Sequence, residues 1–447
     1  MSGIDSVAGA ALNQSPSVGA VHFMEFVARE PFFAVSAITG ATIFGLLFRP
    51  LRLPEAVWAC LGALALFLLH LISWDHALLA VSKGIDVYLF LSGMMLLAEL
   101  ARWEGVFDWL ADWAVRAAHT SASRLFLLIF CVGTIVTVFL SNDATAVVLT
   151  PAVYVAVRKA KVDALPYLLA CAFIANAASF VLPISNPANI VVFDGHLPPL
   201  LPWMRTFLIP SVVSIAATFL VLRLASRKHL RGQAAEAEDP VALSEPGKLA
   251  AWGLVIATVI LLAASISGNS LGLPTCVAAV TAIILVALKD RQAPISVVRK
   301  VSWSVLPLVA GLFVIVEALK DAGTLRIAQS GLEIVDHWPV LRGDLTGAFG
   351  VALISNLMNN LPVGLIGANA LELAHISGAM KNAFLIGVDL GPNLSVTGSL
   401  ATILWLITLR KEGFRVTAWT FLKFGILVMP LALVAAVAAL VLCSSAR

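Results

Sequence analysis

The chain has 447 residues, of which 60% are hydrophobic and only 12% are charged. Charged residues make up about a quarter of an ordinary soluble domain, so this composition excludes a soluble globular protein. The formal net charge is +3, and the basic residues are scattered through short loops, so a nucleic-acid partner is not expected. Repeated apolar runs that approach the roughly 20 residues of a spanning helix indicate that the chain crosses the lipid bilayer many times.

The first half of the chain is predicted to form one repeat over residues 32–225. It begins with three spanning helices and continues with an amphipathic surface helix at 106–118. A helical hairpin follows at 125–157, with its turn at Ser141-Asn142-Asp143. An interrupted helix and a final spanning helix complete the repeat.

The segments outside this repeat are predicted from charge and apolar pattern. Residues 1–31 lack a basic start followed by an apolar stretch and a cleavage site, so they are interpreted as an N-terminal segment and not as a signal peptide. Residues 226–248 are charged and contain two prolines, which indicates a linker. A second repeat is predicted over 249–442, with a hairpin at about 344–376.

Short motifs recur in the same order in the two halves. Leu53-Pro54 returns as Leu273-Pro274, the segment 99–105 returns as 317–323, and Ser141 returns as Ser355. A hairpin adds zero or two crossings, so each half crosses the bilayer an odd number of times. The sequence therefore predicts an all-α polytopic membrane protein built from two inverted-topology repeats, each with about five spanning helices, a hairpin and a broken helix.

The distribution of basic residues predicts the orientation. In the inverted arrangement, 21 of the 29 Lys and Arg residues fall on the side of the linker and 8 on the other side. Basic residues are enriched on the cytoplasmic side of membrane proteins. The linker is therefore predicted to be cytoplasmic, and both termini are predicted to lie outside.

Polar residues interrupt the apolar runs at four places, two in each half. A break in a membrane helix is tolerated only where it is buried in protein or lines a wet cavity. Secondary transporters place such breaks at the midplane, where they bind a solute, although a single break is also explained by helix packing. The predicted solute ligands are Ser141, Asn142, Thr145, Asn176, Ser185, Asn186, Asn189, Ser355, Asn356, Asn359, Asn360, Asn393, Thr397, Gly398 and Ser399.

Two carboxylates, Asp143 and Asp389, lie in these breaks. A carboxylate in a setting of low dielectric takes up a proton more readily than in water, so both are predicted to couple transport to protons. The alternative is a fixed ionised group that orients the site. An intramembrane aspartyl protease would also have two aspartates, but the Tyr-Asp and GxGD contexts are missing.

Motifs for other chemistry are not found in the sequence. None of the eight histidines forms an HExxH motif, and no GxxxxGK[ST] loop occurs. No metal or cofactor is predicted, and ATP use would need a separate subunit. The five cysteines are isolated in apolar runs, which predicts buried, reduced thiols. Cys131 lies about 15 Å along a helix from Ser141, so its thiol is not expected to reach the first break.

At the breaks, the chain resembles the arsenite efflux permeases, the arsenical pump membrane proteins of the ion transporter superfamily. The resemblance rests on residues 141–151, 355–362 and 386–402. It implies efflux of arsenite and antimonite across the bacterial inner membrane, in exchange for protons and by alternating access. It also implies a possible soluble arsenite-stimulated ATPase partner and a possible homodimer.

Two departures from this family keep an alternative open. Asn176 stands where the family typically has an aspartate, and Pro183 and Pro187 are shared with superfamily members that move dicarboxylates or exchange sodium for protons. Sodium/proton exchange and sodium-coupled carboxylate transport are therefore the alternatives. No basic residue lies in the breaks, which favours a neutral trihydroxide, although helix N-termini alone can bind carboxylates.

Overall fold

The computed structural model describes residues 18–193, 197–235, 242–376 and 378–445. Part of the predicted N-terminal segment (1–17) and part of the predicted linker (236–241) lie outside these residues. Apart from one isolated bridge between Ser121 and Gln233, the described ranges form helices, turns and irregular segments. The all-α class is confirmed.

The helices of the two halves follow one another in the same order. Those of the first half are α1 (Val18–Phe48), α2 (Glu55–Leu68), α3 (Trp74–Lys83), α4 (Ile85–Trp103), α5 (Val106–Ala117), α6 (Ala122–Phe139), α7 (Thr150–Lys159), α8 (Ala164–Ala177), α9 (Pro187–Val192) and α10 (Leu200–Ala225). Those of the second half are α11 (Glu245–Ile266), α12 (Gly272–Ala287), α13 (Ala293–Lys300), α14 (Val305–Asp321), α15 (Leu325–Asp336), α16 (Val340–Met358), α17 (Asn360–Leu373), α18 (Ala379–Leu390), α19 (Leu400–Lys411) and α20 (Ala418–Ser445).

Length and composition qualify many of these helices as membrane spans. Among the described residues, six helical segments are long and apolar enough to cross a bilayer, and the bent pair α3–α4 makes a seventh. Three shorter apolar helices, α2, α8 and α12, add to them. The chain is therefore a multi-pass membrane protein.

Contacts at the two ends of α4 and α14 show that the repeats are inverted. These helices end in the repeated segments 99–105 and 317–323 and are therefore equivalent. Lys83, just before α4, bonds to Glu317 near the end of α14 at 2.9 Å. At the other end, the Trp103 indole nitrogen donates to Asp290, before α14, at 3.0 Å. The equivalent helices therefore run in opposite directions.

Two glycines at equivalent positions interlock the repeats. A Cβ atom on Gly93 of α4 would lie 2.6 Å from the Thr275 backbone in α12, and one on Gly311 of α14 would lie 2.8 Å from the Ala59 backbone in α2. Each glycine thus lets a helix of one repeat approach the second helix of the other repeat. Small residues allow this close packing where the bilayer supplies no hydrophobic drive between helices.

One sequence expectation outside the site needs correction. The cysteines were expected to be buried, but Cys60 and Cys131 are exposed and only Cys171 is fully buried. An apolar window cannot tell the face of a helix that packs in the protein from the face that meets lipid.

Candidate functional site

The first break separates α6 from α7. α6 ends at Phe139, and a π-helical turn over Ala144–Leu149 leads into α7. The Ser141 hydroxyl accepts from the Ala144 N–H at 3.1 Å, and the Asn142 side chain accepts from the Asp143 N–H at 2.8 Å. These side chains replace the helical partners that the break removes, which is why Ser and Asn are needed there.

Both arms of this hairpin return to the same side of the molecule. The Ala234 N–H donates to the Thr120 carbonyl, just before α6, at 2.7 Å. The neighbouring Ala235 N–H donates to the Ala160 carbonyl, just after α7, at 2.8 Å. The two ends of the hairpin therefore lie together beside the linker, while the Ser141-Asn142-Asp143 turn lies at the far end.

The second break runs from the end of α8 to the start of α9. The Asn189 amide closes it by donating to the carbonyls of Ser179 at 2.9 Å, Leu182 at 3.3 Å and Pro183 at 3.4 Å. The Ser185 hydroxyl ties this segment to the first hairpin through the Val138 carbonyl at 2.9 Å. Asn189 and Ser185 are thus occupied in holding the break together.

The third break falls at Asn359, between α16 and α17, and not at Ser355. Asn359 has φ 75° and ψ 148°, a region that is normally restricted to glycine, and its side chain accepts from the Leu361 N–H at 3.3 Å. Ser355 remains helical and bonds to the Val351 carbonyl of its own helix. The repeated Ser-Asn motif therefore starts the break in the first half and precedes it by one turn in the second.

The fourth break, between α18 and α19, is bound to the third. Asn356 donates to the Gly391 carbonyl at 2.9 Å and accepts from the Ser395 hydroxyl at 2.6 Å. The Thr397 hydroxyl donates to the Asn356 carbonyl at 2.9 Å, and the Gly398 carbonyl accepts from the Asn360 N–H at 2.9 Å. The two breaks of the second half therefore form one hydrogen-bonded unit.

Two side-chain hydrogen bonds join the second and fourth breaks across the repeats. The Asn186 amide donates to the Asp389 carboxylate at 2.7 Å, and the Asn176 amide donates to the Asn393 side-chain oxygen at 2.9 Å. All four side chains are buried. The second carboxylate oxygen of Asp389 has no hydrogen-bond partner in the described part of the chain. This buried carboxylate is therefore incompletely satisfied, which is costly for an ionised group.

Helix caps reveal the internal equivalent of Asp389. Asn186 caps the start of α9 and Ser399 caps the start of α19, so the two positions correspond. Asn176 lies 10 residues before Asn186, and Asp389 lies 10 residues before Ser399. Asn176 is therefore the equivalent of Asp389 in the first repeat. At these two equivalent positions the second repeat has the carboxylate of Asp389, whereas the first repeat has the amide of Asn176.

A small pocket lies where the breaks meet. It is lined by Asn142, Asp143, Asn186, Asn360 and Ser399, together with apolar side chains, and offers about 20 Å³ to the centre of a water molecule. This is room for about one water. The structure thus brings residues from all four breaks together around one point, which we call the tip pocket.

A larger cavity adjoins the tip pocket on the side of the linker. The volume open to the centre of a water molecule is about 120 Å³ in this cavity, and its lining includes Ser141, Asp143, Glu99 and Lys300. Glu99 is paired with Arg102 through both carboxylate oxygens, whereas Asp143, which is half-buried, has no ion-pair partner among the described residues. We call this cavity the vestibule. Asp143 is the charged group at its junction with the tip pocket.

Several predicted ligands lie outside the tip pocket. Thr145 bonds to Thr137 inside the first hairpin at 2.8 Å, and Ser355 faces its own helix. Thr397 and Asn359 line a further small cavity instead. The apolar side chains that line the tip pocket, among them Leu91, Val305 and Leu400, could not be predicted from the sequence, because nothing distinguishes them from the other apolar side chains of spanning helices.

Comparisons with known proteins agree with this architecture. The citrate transporter family model, CitMHS, matches residues 42–387. The arsenical pump membrane protein of Yersinia enterocolitica is 30% identical over 352 residues, covering 76% of this chain and 82% of its own. The protein of the same name from Escherichia coli K12 gives the same values. An uncharacterised transporter of Mycobacterium tuberculosis is 26% identical over 84% of this chain and 91% of its own.

A solved structure confirms the fold. The YdaH transporter of Alcanivorax borkumensis superposes with a TM-score of 0.54 at 12% identity, covering 87% of this chain and 97% of that chain. At that identity the likeness concerns the fold alone. The family is shown by the matching family model and by the arsenical pump relatives. This chain is a membrane transporter that belongs to the arsenical pump membrane protein family of the ion transporter superfamily.

Proposed function

We propose that the protein exports arsenite and antimonite across the bacterial inner membrane in exchange for protons. The observation that carries this proposal is the chemistry of the tip pocket, where amide and hydroxyl groups converge with one carboxylate and no basic side chain. Arsenous and antimonous acids are neutral trihydroxides near neutral pH. Amides and hydroxyls bind such hydroxyl groups without a counter-charge.

The second candidate is sodium-coupled carboxylate transport or sodium/proton exchange. The match to the citrate transporter model and the prolines at 183 and 187 favour it. Cationic side chains favour the binding of a di- or tricarboxylate, and helix N-termini are the other source of positive potential for it. The basic side chain that lines the vestibule, Lys300, is exposed, and its ammonium lies 4.8 Å from the centre of the Trp103 ring. Lys300 therefore lies at the mouth of the vestibule and not in the tip pocket, where the breaks meet.

Asp389 and Asp143 are proposed to carry the coupling protons. Asp389 is fully buried and lacks a partner for one oxygen, so its charged form is poorly compensated, and a proton or a cation would relieve that. Asp143 lies at the junction of vestibule and tip pocket, where water reaches it. In this mechanism Asp389 binds the proton and Asp143 exchanges it with the cytoplasmic side.

Alternating access follows from the inverted repeats. The two hairpins are proposed to be re-entrant and to move with the broken helices as a core, over residues 125–157 and about 344–376. The interlocked helices α2, α4, α12 and α14 would form the static part. The linker at 226–248 is proposed to be cytoplasmic, because its side of the protein holds most Lys and Arg residues, and both termini are then outside.

Two associations belong to the same proposal. A soluble arsenite-stimulated ATPase would dock on the cytoplasmic face, where the linker lies, and would make export ATP-driven. A homodimer would be formed by the helices of the static part. Both are carried over from the family resemblance and are tested by co-purification with and without arsenite.

The deciding experiment measures arsenite uptake into everted membrane vesicles. An imposed proton gradient should drive accumulation, a sodium gradient should not, and excess citrate should not compete. The matched control is a vesicle preparation from the same cells without the protein. Sodium-driven uptake or competition by citrate would favour the second candidate. Failure of arsenite to move under either gradient would overturn the proposal.

A further inference from the structure

Three cavities of the core share one side chain, that of Leu400. It lines the vestibule, the tip pocket and a third cavity that contains Glu55, Asn359 and Thr397. Other residues line only two of these spaces: Leu91, Asp143, Pro187 and Val305 line the vestibule and the tip pocket, and Leu361 lines the tip pocket and the third cavity. Leu400 therefore stands at the junction of every described space that leads to the tip pocket.

The sizes of these spaces make the junction restrictive. The vestibule offers about 120 Å³ to the centre of a water molecule, whereas the tip pocket and the third cavity offer about 20 Å³ each. A single water needs about 10–15 Å³ in these terms. A solute with three hydroxyl groups therefore fits the vestibule but cannot reach the tip pocket unless a side chain at the junction moves.

The position of Leu400 in the fold couples it to a break. Leu400 is the first residue of α19, directly after Ser399, which caps that helix and lines the tip pocket. The same pocket is also lined by Leu91 of α4 and Val305 of α14, the helices held by the interlocked glycines. A movement of the fourth break relative to α4 and α14 thus moves Leu400 across the opening.

We propose that Leu400 is the gate between the vestibule and the tip pocket, and that its displacement admits a small solute from the side of the linker. This rests on the proposed function for the identity of the solute, but the gating itself does not depend on it. The competing interpretation is that Leu400 only packs α19 against its neighbours. Its two neighbours on α19 provide controls, because Leu404 lines the vestibule alone and Ile403 the third cavity alone.

The test measures thiol reactivity in the tip pocket. In a background with the five native cysteines replaced, Ala401→Cys places a thiol in its lining, with Asn142→Cys as a second reporter. A membrane-impermeant maleimide is applied to the side of the linker, without any transported solute. Leu400→Ala should raise the labelling rate about tenfold, because a protected thiol reacts in proportion to the population of the open state. Leu400→Val should raise it less, and Leu400→Trp should lower it.

The controls decide between gating and packing. Leu404→Ala and Ile403→Ala should leave the labelling rate within about twofold of the background, since loosening α19 is not the same as opening the junction. Each variant is first checked for a monodisperse peak in detergent. Unchanged labelling in both Leu400→Ala and Leu400→Val, or an equal rise in the two controls, would overturn the proposal. Because no arsenite is used, a failed transport assay leaves this result intact.

Discussion

Replacing Asp389 with asparagine separates its structural role from coupling. The Asn186 amide donates to Asp389 at 2.7 Å, and an asparagine oxygen can accept the same bond. A hydrogen bond to a charged group is worth about 1.5–3 kcal/mol and a neutral one about 0.5–1.5 kcal/mol, so the bond weakens by about 1 kcal/mol. Removing a buried charge without a counter-ion offsets that loss. We expect Asp389→Asn to fold with unchanged or higher thermal stability.

Alanine at the same position gives the contrasting result. It leaves the buried Asn186 amide without this acceptor, which costs about 1–3 kcal/mol, and it also opens a small cavity. Asp389→Ala should therefore unfold at a lower temperature than Asp389→Asn in detergent. Equal stability of the two variants would mean that the bond across the repeats contributes little.

The transport assay tests coupling itself. Asparagine resembles the protonated aspartate but cannot release a proton, so Asp389→Asn should lose proton-driven accumulation of arsenite in everted vesicles and keep downhill counterflow. Asp344→Asn is a matched control, because Asp344 is also buried, lies in α16, and lines neither the vestibule nor the tip pocket. Wild-type proton-driven accumulation by Asp389→Asn would refute the assignment of this residue.

Two further predictions test other parts of the structure. Asn359→Gly should keep or raise thermal stability, because glycine adopts φ 75°, ψ 148° without strain. Asn359→Ala should lower it by about 0.5–2 kcal/mol, because alanine keeps the strain and loses the side-chain bond to the Leu361 N–H; equal melting temperatures would contradict this. Asn176→Asp should lose stability as pH rises above neutrality, because an ionised carboxylate would face the Asn393 oxygen, and a pH series of melting curves checks it.

The architecture could be predicted from local signals. An apolar run long enough to span a bilayer is visible in any window, and Asn, Ser and Pro within such a run mark a break because hydrocarbon cannot solvate free backbone groups. The inversion followed from a count of crossings and basic residues. The amphipathic helix is an example, since the sequence predicts it at 106–118 and α5 covers Val106–Ala117.

Only the tertiary structure decides which side chains of the two repeats form hydrogen bonds with each other. Asn186 and Asp389 are 203 residues apart, and Asn176 and Asn393 are 217 apart, so no local pattern specifies that they meet. Similar motifs also took different structures, since Ser141 follows the end of a helix and Ser355 stays inside one. Which face of each helix turns inward depends on how the two repeats pack, and that packing, not residue type, places Leu400 at the junction of the cavities.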